Sequence, residues 1–440
     1  MADITLSPIP YNSGSIQTGQ YQNATCMLSS GVFLHVVAQT APAYVYAYVT
    51  TLTNARPGTG TYSTVASPMR AILNAGTTPA APTTISGIRL FKLNATTAAM
   101  VLDGTIYSLQ VGANNDVTLR TGTGTSLNLS MAVSGKPTLL NDGVPALYSS
   151  NSGIQVNGSA WQLFYMRDNV LWGYIRPSAS ANENGTNYWF KLSYDPATGA
   201  WSPKSNMAAV SFYSVSLNTN QATGTVLAQA ACARGHVMDI PGSTTKLIQY
   251  RVNLNTSRPG LPSAFVVGAY LVTNTDQTTN IPQPPAGTRM MVPLATNRIL
   301  GFIDSKSYYV FNGTSWSSTP VVFATNGYDL TSSGYCLFEG IALDANYFMI
   351  WTLATTSSQD PGYGGFSSTP NIYTRIGRYV DAGLGQVSSA TSTVDGLAMV
   401  STGMIWDQQP MIRDGSDAIF WYSREQTGRA GVRVQYQAGG

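Results

Sequence analysis

The sequence has very few charged residues. Asp, Glu, Lys and Arg make up 10% of its 440 residues, against about 25% in an average soluble domain. The 23 basic and 20 acidic residues leave a net charge of +3, with no run of Lys or Arg. Because binding to a phosphate backbone needs clustered cations, the composition argues against a nucleic-acid partner. The abundant Ser, Thr, Asn and Gln suit protein packing and sugar hydroxyls, although strands and turns alone would also explain them.

Cysteine is scarce, and the signals for membrane insertion and export are missing. The three cysteines, Cys26, Cys232 and Cys336, are far apart and form no Cys-x-x-Cys pair. We therefore expect small buried side chains rather than a disulfide framework. The most apolar windows are shorter than the roughly 20 residues that cross a bilayer. The start of the chain lacks a basic stretch followed by an apolar one, which predicts that there is no signal peptide.

Catalytic motifs are also missing. His35 lies in an apolar run, which predicts a hydrogen-bonded residue of a buried strand rather than a general base. His236 comes after Arg234 and Gly235 and is predicted to lie in a turn at the surface. A Ser-His-Asp triad would need one of these two histidines, and no Gly-x-Ser-x-Gly elbow occurs. The only glutamates are Glu183, Glu339 and Glu425, whereas a glycosidase needs two facing carboxylates. The apolar setting of Glu339 suits a general acid, but a strand-end residue bonded to backbone explains it equally well. We therefore predict that the chain is not an enzyme.

No stretch has the spacing of a metal site. Calcium loops need oxygen ligands at alternate positions, and two stretches, 182–187 and 414–417, have part of such a pattern. Both are shorter than an EF-hand loop, and Asn, Asp and Gly are the usual residues of tight turns. We interpret both stretches as turns and predict neither a metal nor a cofactor.

What the sequence does contain is a repeated strand–turn–strand pattern. Tyr188–Tyr194 alternates like a half-buried strand, Asp195–Gly199 has the composition of a tight turn, and Trp201 opens the next strand. A degenerate copy occupies 308–316, where the pair Asn312–Gly313 predicts a two-residue hairpin. Recurrence of an aromatic strand, a Gly turn and a Trp indicates a repeat architecture.

Similar units fill the chain, and helical patterns are nearly absent. We predict an all-β fold of about seven similar units, with six or eight as alternatives, and the kelch resemblance given below implies that they are the four-stranded antiparallel blades of a β-propeller. The propeller domain is expected over 31–440, and residues 1–30 are expected to form an N-terminal arm or an outer strand. The unit ends are predicted near Leu52, Leu119, Trp201, Asn255, Trp316, Val387 and Tyr436.

Two resemblances bear on function. The stretch from Tyr194 to Trp201 resembles the end of a kelch repeat, which implies the propeller shape. The low charge, the richness in Thr, Ser, Asn, Gly and Tyr and the many short strands resemble virion proteins of tailed bacteriophages. That resemblance implies a structural or assembly component, associated with a tail or tail fibre (nozzle, fibre or baseplate) or decorating a capsid. It further implies synthesis in the host cytoplasm, incorporation into the virion and contacts with other virion proteins and with copies of itself in a cyclic homo-oligomer.

One loop suggests a binding role. The segment 355–370 carries Tyr363 and Phe366 among glycines and polar residues. Exposed aromatic rings on such a loop can stack on sugar rings or anchor a protein, although both rings could equally fold back onto the sheet. This loop favours one alternative function, a propeller that binds a host-receptor glycan. The apolar setting of Glu339 leaves a second alternative, a polysaccharide-cleaving enzyme.

Overall fold

All regular elements in the described part of the chain are β-strands, as the sequence predicts. The computed structural model describes residues 3–9, 21–40, 43–53, 63–74, 79–81, 88–102, 105–121, 124–126, 129–130, 155–156, 161–175, 187–204, 209–210, 234–253, 264–275, 277–304, 306–323, 335–355, 371–379, 392–398, 405–414, 417–424 and 428–437. Within these ranges the strands form seven sheets that each have four strands in series, together with one two-stranded sheet.

The first three large sheets, blades 1 to 3, come from the N-terminal half of the chain. After β1 (Asp3–Ile9), blade 1 contains β2 (Tyr21–Ser29), β3 (Val32–Thr40), β4 (Ala43–Thr53) and β5 (Ser63–Ala66), with β6 (Arg70–Asn74) also paired to β4. Blade 2 contains β7 (Ile88–Lys92), β8 (Thr97–Leu102), β9 (Thr105–Val111) and β10 (Val117–Leu119), with β11 (Thr125–Ser126) also on β9. The small sheet pairs β12 (Leu129–Ser130) with β13 (Gln155–Val156). Blade 3 contains β14 (Trp161–Arg167), β15 (Val170–Ile175), β16 (Asn187–Tyr194) and β17 (Trp201–Lys204), with β18 (Ala209–Val210) also on β16.

Blades 4 to 7 follow in chain order. Blade 4 contains β19 (Arg234–Asp239), β20 (Lys246–Asn253), β21 (Ala264–Val272) and β22 (Thr278–Asn280). Blade 5 contains β23 (Met290–Ala295), β24 (Arg298–Phe302), β25 (Ser307–Phe311) and β26 (Val321–Val322). Blade 6 contains β27 (Tyr335–Ala342), β28 (Tyr347–Thr355), β29 (Asn371–Arg378) and β30 (Ser392–Ala398). Blade 7 contains β31 (Ile405–Asp414), β32 (Asp417–Arg424) and β33 (Gly428–Gln437), and its fourth strand is β1.

This arrangement is a β-propeller of seven four-stranded antiparallel blades, which confirms the predicted fold class. From blade 7 through blade 1 to blade 6, neighbouring first strands contact each other, in the order β31, β2, β7, β14, β19, β23 and β27. These strands therefore surround the common axis, and the fourth strand of each blade lies at the rim. Residues 1–30, described above as an arm or an outer strand, supply both the rim strand of blade 7 and the axial strand of blade 1.

Asp, Asn and Gly residues set the conformations of the turns in blades 3 and 5. In blade 3 the Ala197 N–H donates to Oδ1 of Asp195, and Gly199 has a φ of +76°, which costs little without a Cβ. In blade 5 the predicted two-residue hairpin at Asn312–Gly313 is wrong. The strands pair at Phe311 and Trp316, because Oδ1 of Asn312 accepts the N–H groups of residues 314 and 315 and so organises a longer turn.

Apolar side chains fill the spaces between blades. The alternation of each strand sends one set of side chains to each neighbouring blade. Even-numbered β23 residues, such as Val292, pack with Phe348 of blade 6, and Met291 packs with Leu247 of blade 4. Between blades 5 and 6, Phe302, Tyr308, Phe323 and Phe348 form a cluster of rings with centroids 5.1–6.0 Å apart. Fully burying each such ring contributes on the order of 1.5–3 kcal/mol.

The Trp of the repeated sequence pattern bonds to the preceding blade. Trp201 of blade 3 donates its indole N–H to Oγ of Ser108 in blade 2 (3.1 Å), and Ser108 donates to the Gly199 carbonyl (3.0 Å). Trp316 of blade 5 donates its indole N–H to the Pro282 carbonyl beyond β22 of blade 4 (2.9 Å). Each indole also packs on the last aromatic residue of the preceding strand. The repeat therefore encodes a contact between blades as well as a hairpin.

A glutamine joins blades 4 and 5 through backbone groups. Oε1 of Gln249 accepts the Met291 N–H (2.8 Å), and its Nε2 donates to the Met291 carbonyl (3.1 Å) and to Sδ of Met238 (3.0 Å). Both Gln249 and Met291 are fully buried. The side-chain amide therefore completes a two-bond pairing with a strand of the next blade, as a backbone segment would.

Candidate functional site

The two ends of the blades carry different connections. All connections from first to second strand lie at one end, and each is short: 30–31, 93–96, 168–169, 240–245, 296–297, 343–346 and 415–416. Connections from second to third strand lie at the opposite end, because the strands are antiparallel. They include the longer segments 176–186, 254–263 and 356–370. Longer loops carried by a rigid scaffold are common places for binding residues.

The loop aromatics predicted from the sequence belong to one of these longer connections. Tyr363 and Phe366 lie between β28 and β29 of blade 6 and are outside the described residues. Two of the three glutamates, Glu183 and Glu425, also lie outside the described residues. The third, Glu339, is a residue of β27 with Trp351 opposite it in β28. The binding role of Tyr363 and Phe366 stays a prediction.

Acidic side chains in the described turns bond to their own backbone. Oδ1 of Asp344 accepts the N–H groups of Asn346 and Tyr347, and Oδ1 of Asp304 accepts those of Lys306 and Ser307. Among the described residues, no group of three or more Asp, Glu, His or Cys residues could hold a metal ion. In the stretch 414–417, residues 414 and 417 pair across the β31–β32 hairpin, and residues 415 and 416 lie outside the described residues.

Asp195 shows the electrostatic effect of such a turn. The Thr198 hydroxyl donates to Oδ2 of Asp195 (2.6 Å), and the Ala197 N–H donates to Oδ1 (2.9 Å). These hydrogen bonds, that of Thr198 first, hold the pKa of Asp195 below its ordinary value of 3.8. A carboxylate with a lowered pKa stabilises the fold above its ordinary pKa and loses that contribution as the pH falls through the lower, folded-state value.

We predict that Thr198→Val raises the pKa of Asp195 towards its ordinary value, because the variant loses the largest of these hydrogen bonds. The pKa is measured from the side-chain carboxyl resonance in an NMR titration of the whole chain. Thr275→Val is the control, since the Thr275 hydroxyl contacts that of Thr273 in a blade 4 turn. An unchanged titration of Asp195 in Thr198→Val contradicts the assignment.

The two histidines are parts of strands. His35 is fully buried in β3, its Nδ1 lies 3.0 Å from Oγ1 of Thr25, and its ring stacks on Tyr48 at 4.8 Å. The sequence-based interpretation of His35 as a hydrogen-bonded sheet residue is confirmed. His236 lies in β19 opposite Gln249, so its predicted place in a turn is wrong.

Sequence reasoning missed a row of tyrosines on blade 1. Tyr44, Tyr46 and Tyr48 share one face of β4, and the rings of Tyr44 and Tyr46 stack with centroids 5.4 Å apart and planes 24° apart. Both of these rings are half-buried, whereas Tyr48 is buried. The signal was present, because Tyr alternates with small apolar residues over Tyr44–Tyr48 with the period of a strand.

The chain was compared with known proteins at the levels of sequence and structure. No protein-family profile matches it, and no curated protein matches its sequence. Several solved structures are similar in shape. They include a neuraminidase-like protein of A/little yellow-shouldered bat/Guatemala, with 11% identity, 100% of each chain covered and a TM-score of 0.35. A periplasmic gluconolactonase of Pseudomonas aeruginosa has 10% identity, 95% of each chain covered and a TM-score of 0.35. A glycosyl hydrolase of Bacteroides ovatus has 10% identity and a TM-score of 0.29, covering 64% of this chain and 86% of its own.

These neighbours correct one expectation. The prediction that the chain is not an enzyme is contradicted, because these structures include proteins named as a gluconolactonase and as a neuraminidase-like protein. The prediction relied on missing motifs, and a missing motif does not exclude catalysis. Identities of 10–11% and TM-scores of 0.35 transfer no activity to this chain.

Among the described residues there is no helix that is long and apolar enough to cross a membrane.

Proposed function

We propose that this protein is a structural component of a tailed-bacteriophage particle, associated with the tail or a tail fibre. It acts through contacts with copies of itself and with other virion proteins. The observation that supports this most directly is the low charge of the chain, 10% of its residues. Neutral hydroxyl and amide surfaces are cheaper to bury against another protein than ionised ones.

The rim of the propeller is the surface that we propose for assembly. The large hydrophobic side chains exposed in the described part of the chain are Val65, 58% exposed, and Val322, 56% exposed. Both lie on rim strands, in β5 of blade 1 and β26 of blade 5. The rim strand β22 of blade 4 presents three exposed, uncharged residues, Thr278–Asn280. Rim strands that combine valine with uncharged polar side chains favour edge-to-edge contacts between proteins.

A measurement of assembly tests the proposal. We expect the purified chain to form a defined cyclic oligomer in light-scattering chromatography, and we expect Val322→Glu or Val65→Glu to shift it towards the monomer. The reason is that burying a new carboxylate at an interface is unfavourable. Thr244→Glu is the control, because Thr244 is exposed in a blade 4 turn away from the rim strands. A chain that stays monomeric at high concentration, and is absent from purified particles, contradicts the proposal.

A second candidate function is the binding of a host-receptor glycan. It is favoured by Tyr363 and Phe366, which the sequence places among glycines in a connection of 15 residues, 356–370. Aromatic rings presented on such a loop suit sugar rings, whose apolar faces stack on them. Binding of the isolated chain to an array of glycans distinguishes this function from assembly alone.

A further inference from the structure

The two faces of blade 1 differ sharply in chemistry. Side chains that point towards blade 2, such as Leu34, Val36 and Val49, are buried and apolar. The opposite face carries Thr25, His35, Gln39 and the three tyrosines of β4 together with the buried apolar residues Phe33 and Val37. Burying polar groups inside a propeller costs free energy unless they form hydrogen bonds. The polar residues of this face are therefore expected to have a structural or a functional role.

One row of residues across this face has a structural role. Thr25, His35 and Tyr48 lie in register across three neighbouring strands. The hydrogen bond between Thr25 and His35 and the stack of His35 on Tyr48 hold this row together, and all three residues are buried.

The part of this face at the start of β4 differs because it reaches solvent. Tyr44 and Tyr46 are half-buried, and their neighbours across the strand pair with β6 are Asn74, half-buried, and Ala71, exposed. Gln39 lies opposite Tyr44 on the other side, in β3. Burial, together with the nearby Tyr44 phenol, raises the pKa of Tyr46. The Tyr46 phenol therefore keeps its proton at neutral pH and can donate a hydrogen bond.

The neighbours of the tyrosine pair on the same face of β3 and β6 are uncharged. The charged residue of β6 is Arg70, which lies opposite Ala47 on the apolar side of blade 1. There its guanidinium pairs with Asp116 of blade 2 at 3.1 Å. A site of ring surfaces, phenol hydroxyls and amides without ionised groups complements a ligand that has hydroxyls and no charge.

We propose that Tyr44 and Tyr46 form a binding site for a neutral carbohydrate on the blade 7 side of blade 1. The tyrosine rings supply the surface on which the apolar face of a sugar packs, and their hydroxyls bond to the hydroxyls of the sugar. The small side chain of Ala71 leaves room beside Tyr46. The site lies at the opposite end of the blades from the short turns, since β4 begins after a second-to-third-strand connection. It rests on the second function proposed above, to which it adds a location separate from the loop with Tyr363 and Phe366, and it is independent of the assembly function.

Titration of the whole chain with neutral sugars tests the site. The probes are glucose, galactose, mannose, N-acetylglucosamine and their short oligomers, at concentrations up to about 10 mM, followed by calorimetry. We expect at least one probe to bind wild type. Tyr46→Ala and Tyr44→Ala should each weaken that binding about tenfold, because each removes a stacking surface. Tyr46→Phe keeps the ring and loses the hydroxyl, so we expect a smaller loss and an unchanged fold.

Tyr309→Ala is the matched control, because Tyr309 is a half-buried tyrosine on the third strand of blade 5, as Tyr46 is on blade 1. Binding that survives in Tyr309→Ala and is lost in Tyr46→Ala supports the site. Equal binding by all variants overturns the site but leaves a glycan function elsewhere on the chain. No binding by wild type to any probe overturns both, and the assembly measurement is unaffected.

Discussion

Gln249→Leu is expected to lower the free energy of unfolding by about 2–4 kcal/mol. Leucine nearly fills the volume of glutamine but leaves the Met291 N–H and carbonyl without the bonds that Gln249 makes to them. Met291 is fully buried, and an unsatisfied buried backbone group costs about 1–3 kcal/mol. The measurement is urea unfolding of the whole chain followed by Trp fluorescence.

The control for this prediction is Gln110→Leu. Gln110 is half-buried on β9 and bonds to the Thr96 and Val111 carbonyls and to the Thr97 hydroxyl, all within blade 2. Because Gln110 is half-buried and its bond to the Thr96 carbonyl is exposed to water, we expect its replacement to cost less than about 1 kcal/mol. Equal free energies of unfolding for the two variants would show that the hydrogen bonds between blades 4 and 5 contribute no more to stability than those within blade 2.

Gln249→Glu extends the test to pH. One carboxylate oxygen can accept the Met291 N–H, but the other then faces the Met291 carbonyl in a buried setting. Burial and this repulsion should raise the folded-state pKa of the new carboxyl above the ordinary glutamate value of about 4.3. The protonated acid can donate a hydrogen bond to the Met291 carbonyl. The contribution of this bond to the free energy of unfolding is therefore fully present below about pH 4.3 and is lost as the pH rises through the folded-state pKa. We therefore expect the difference from wild type to grow with pH.

Trp201→Ala is expected to cost about 3–5 kcal/mol. The indole is 8% exposed, packs on Tyr194 at 5.0 Å and bonds to Ser108 of blade 2. Its removal leaves a cavity where blade 3 meets blade 2 and takes away a donor to a hydroxyl that is 1% exposed. Thermal and urea unfolding of the whole chain measure the loss, and a cost below about 1 kcal/mol would contradict this account.

Two further variants separate packing from hydrogen bonding at this contact. Trp201→Phe keeps an aromatic ring and loses the N–H, so we expect a cost of about 1 kcal/mol beyond the smaller ring. Combined with Ser108→Ala, it should cost less than the sum of the single changes, because both remove the same bond. Trp316→Ala is the comparison in blade 5, where the indole is more exposed, and we expect a smaller loss there.

Local signals made much of the fold predictable. The turn at Asp195–Gly199 and the strands on either side of it occur where the sequence places them, because Asp, Pro and Gly fix the backbone locally. The predicted count of about seven units matches the seven large sheets. The unit end predicted near Asn255 is wrong, since that residue follows the second strand of blade 4. Turns inside a blade and between blades use the same residue types, so composition does not distinguish them.

Contacts between distant residues were beyond local signals. Gln249 and Met291 are 42 positions apart, and no pattern near either residue points to the other. The tyrosine pair on β4 carried a periodic signal that predicts a strand, but periodicity does not say which face reaches solvent. The loop aromatics Tyr363 and Phe366 had a compositional signal alone. Site prediction therefore lagged behind fold prediction because binding residues are defined by neighbours in space.

The pairing of β1 with β33 has a consequence for how the protein is made. Asp3–Ile9 leave the ribosome well before their hydrogen-bonding partners in Gly428–Gln437 are translated. At about 5–20 residues per second, the wait lasts roughly 20–80 s. During that time the early strand exposes open edges that could pair with another nascent chain. On a polysome, pairing of β1 with β33 of the same chain therefore competes with pairing of β1 with a strand of a neighbouring nascent chain.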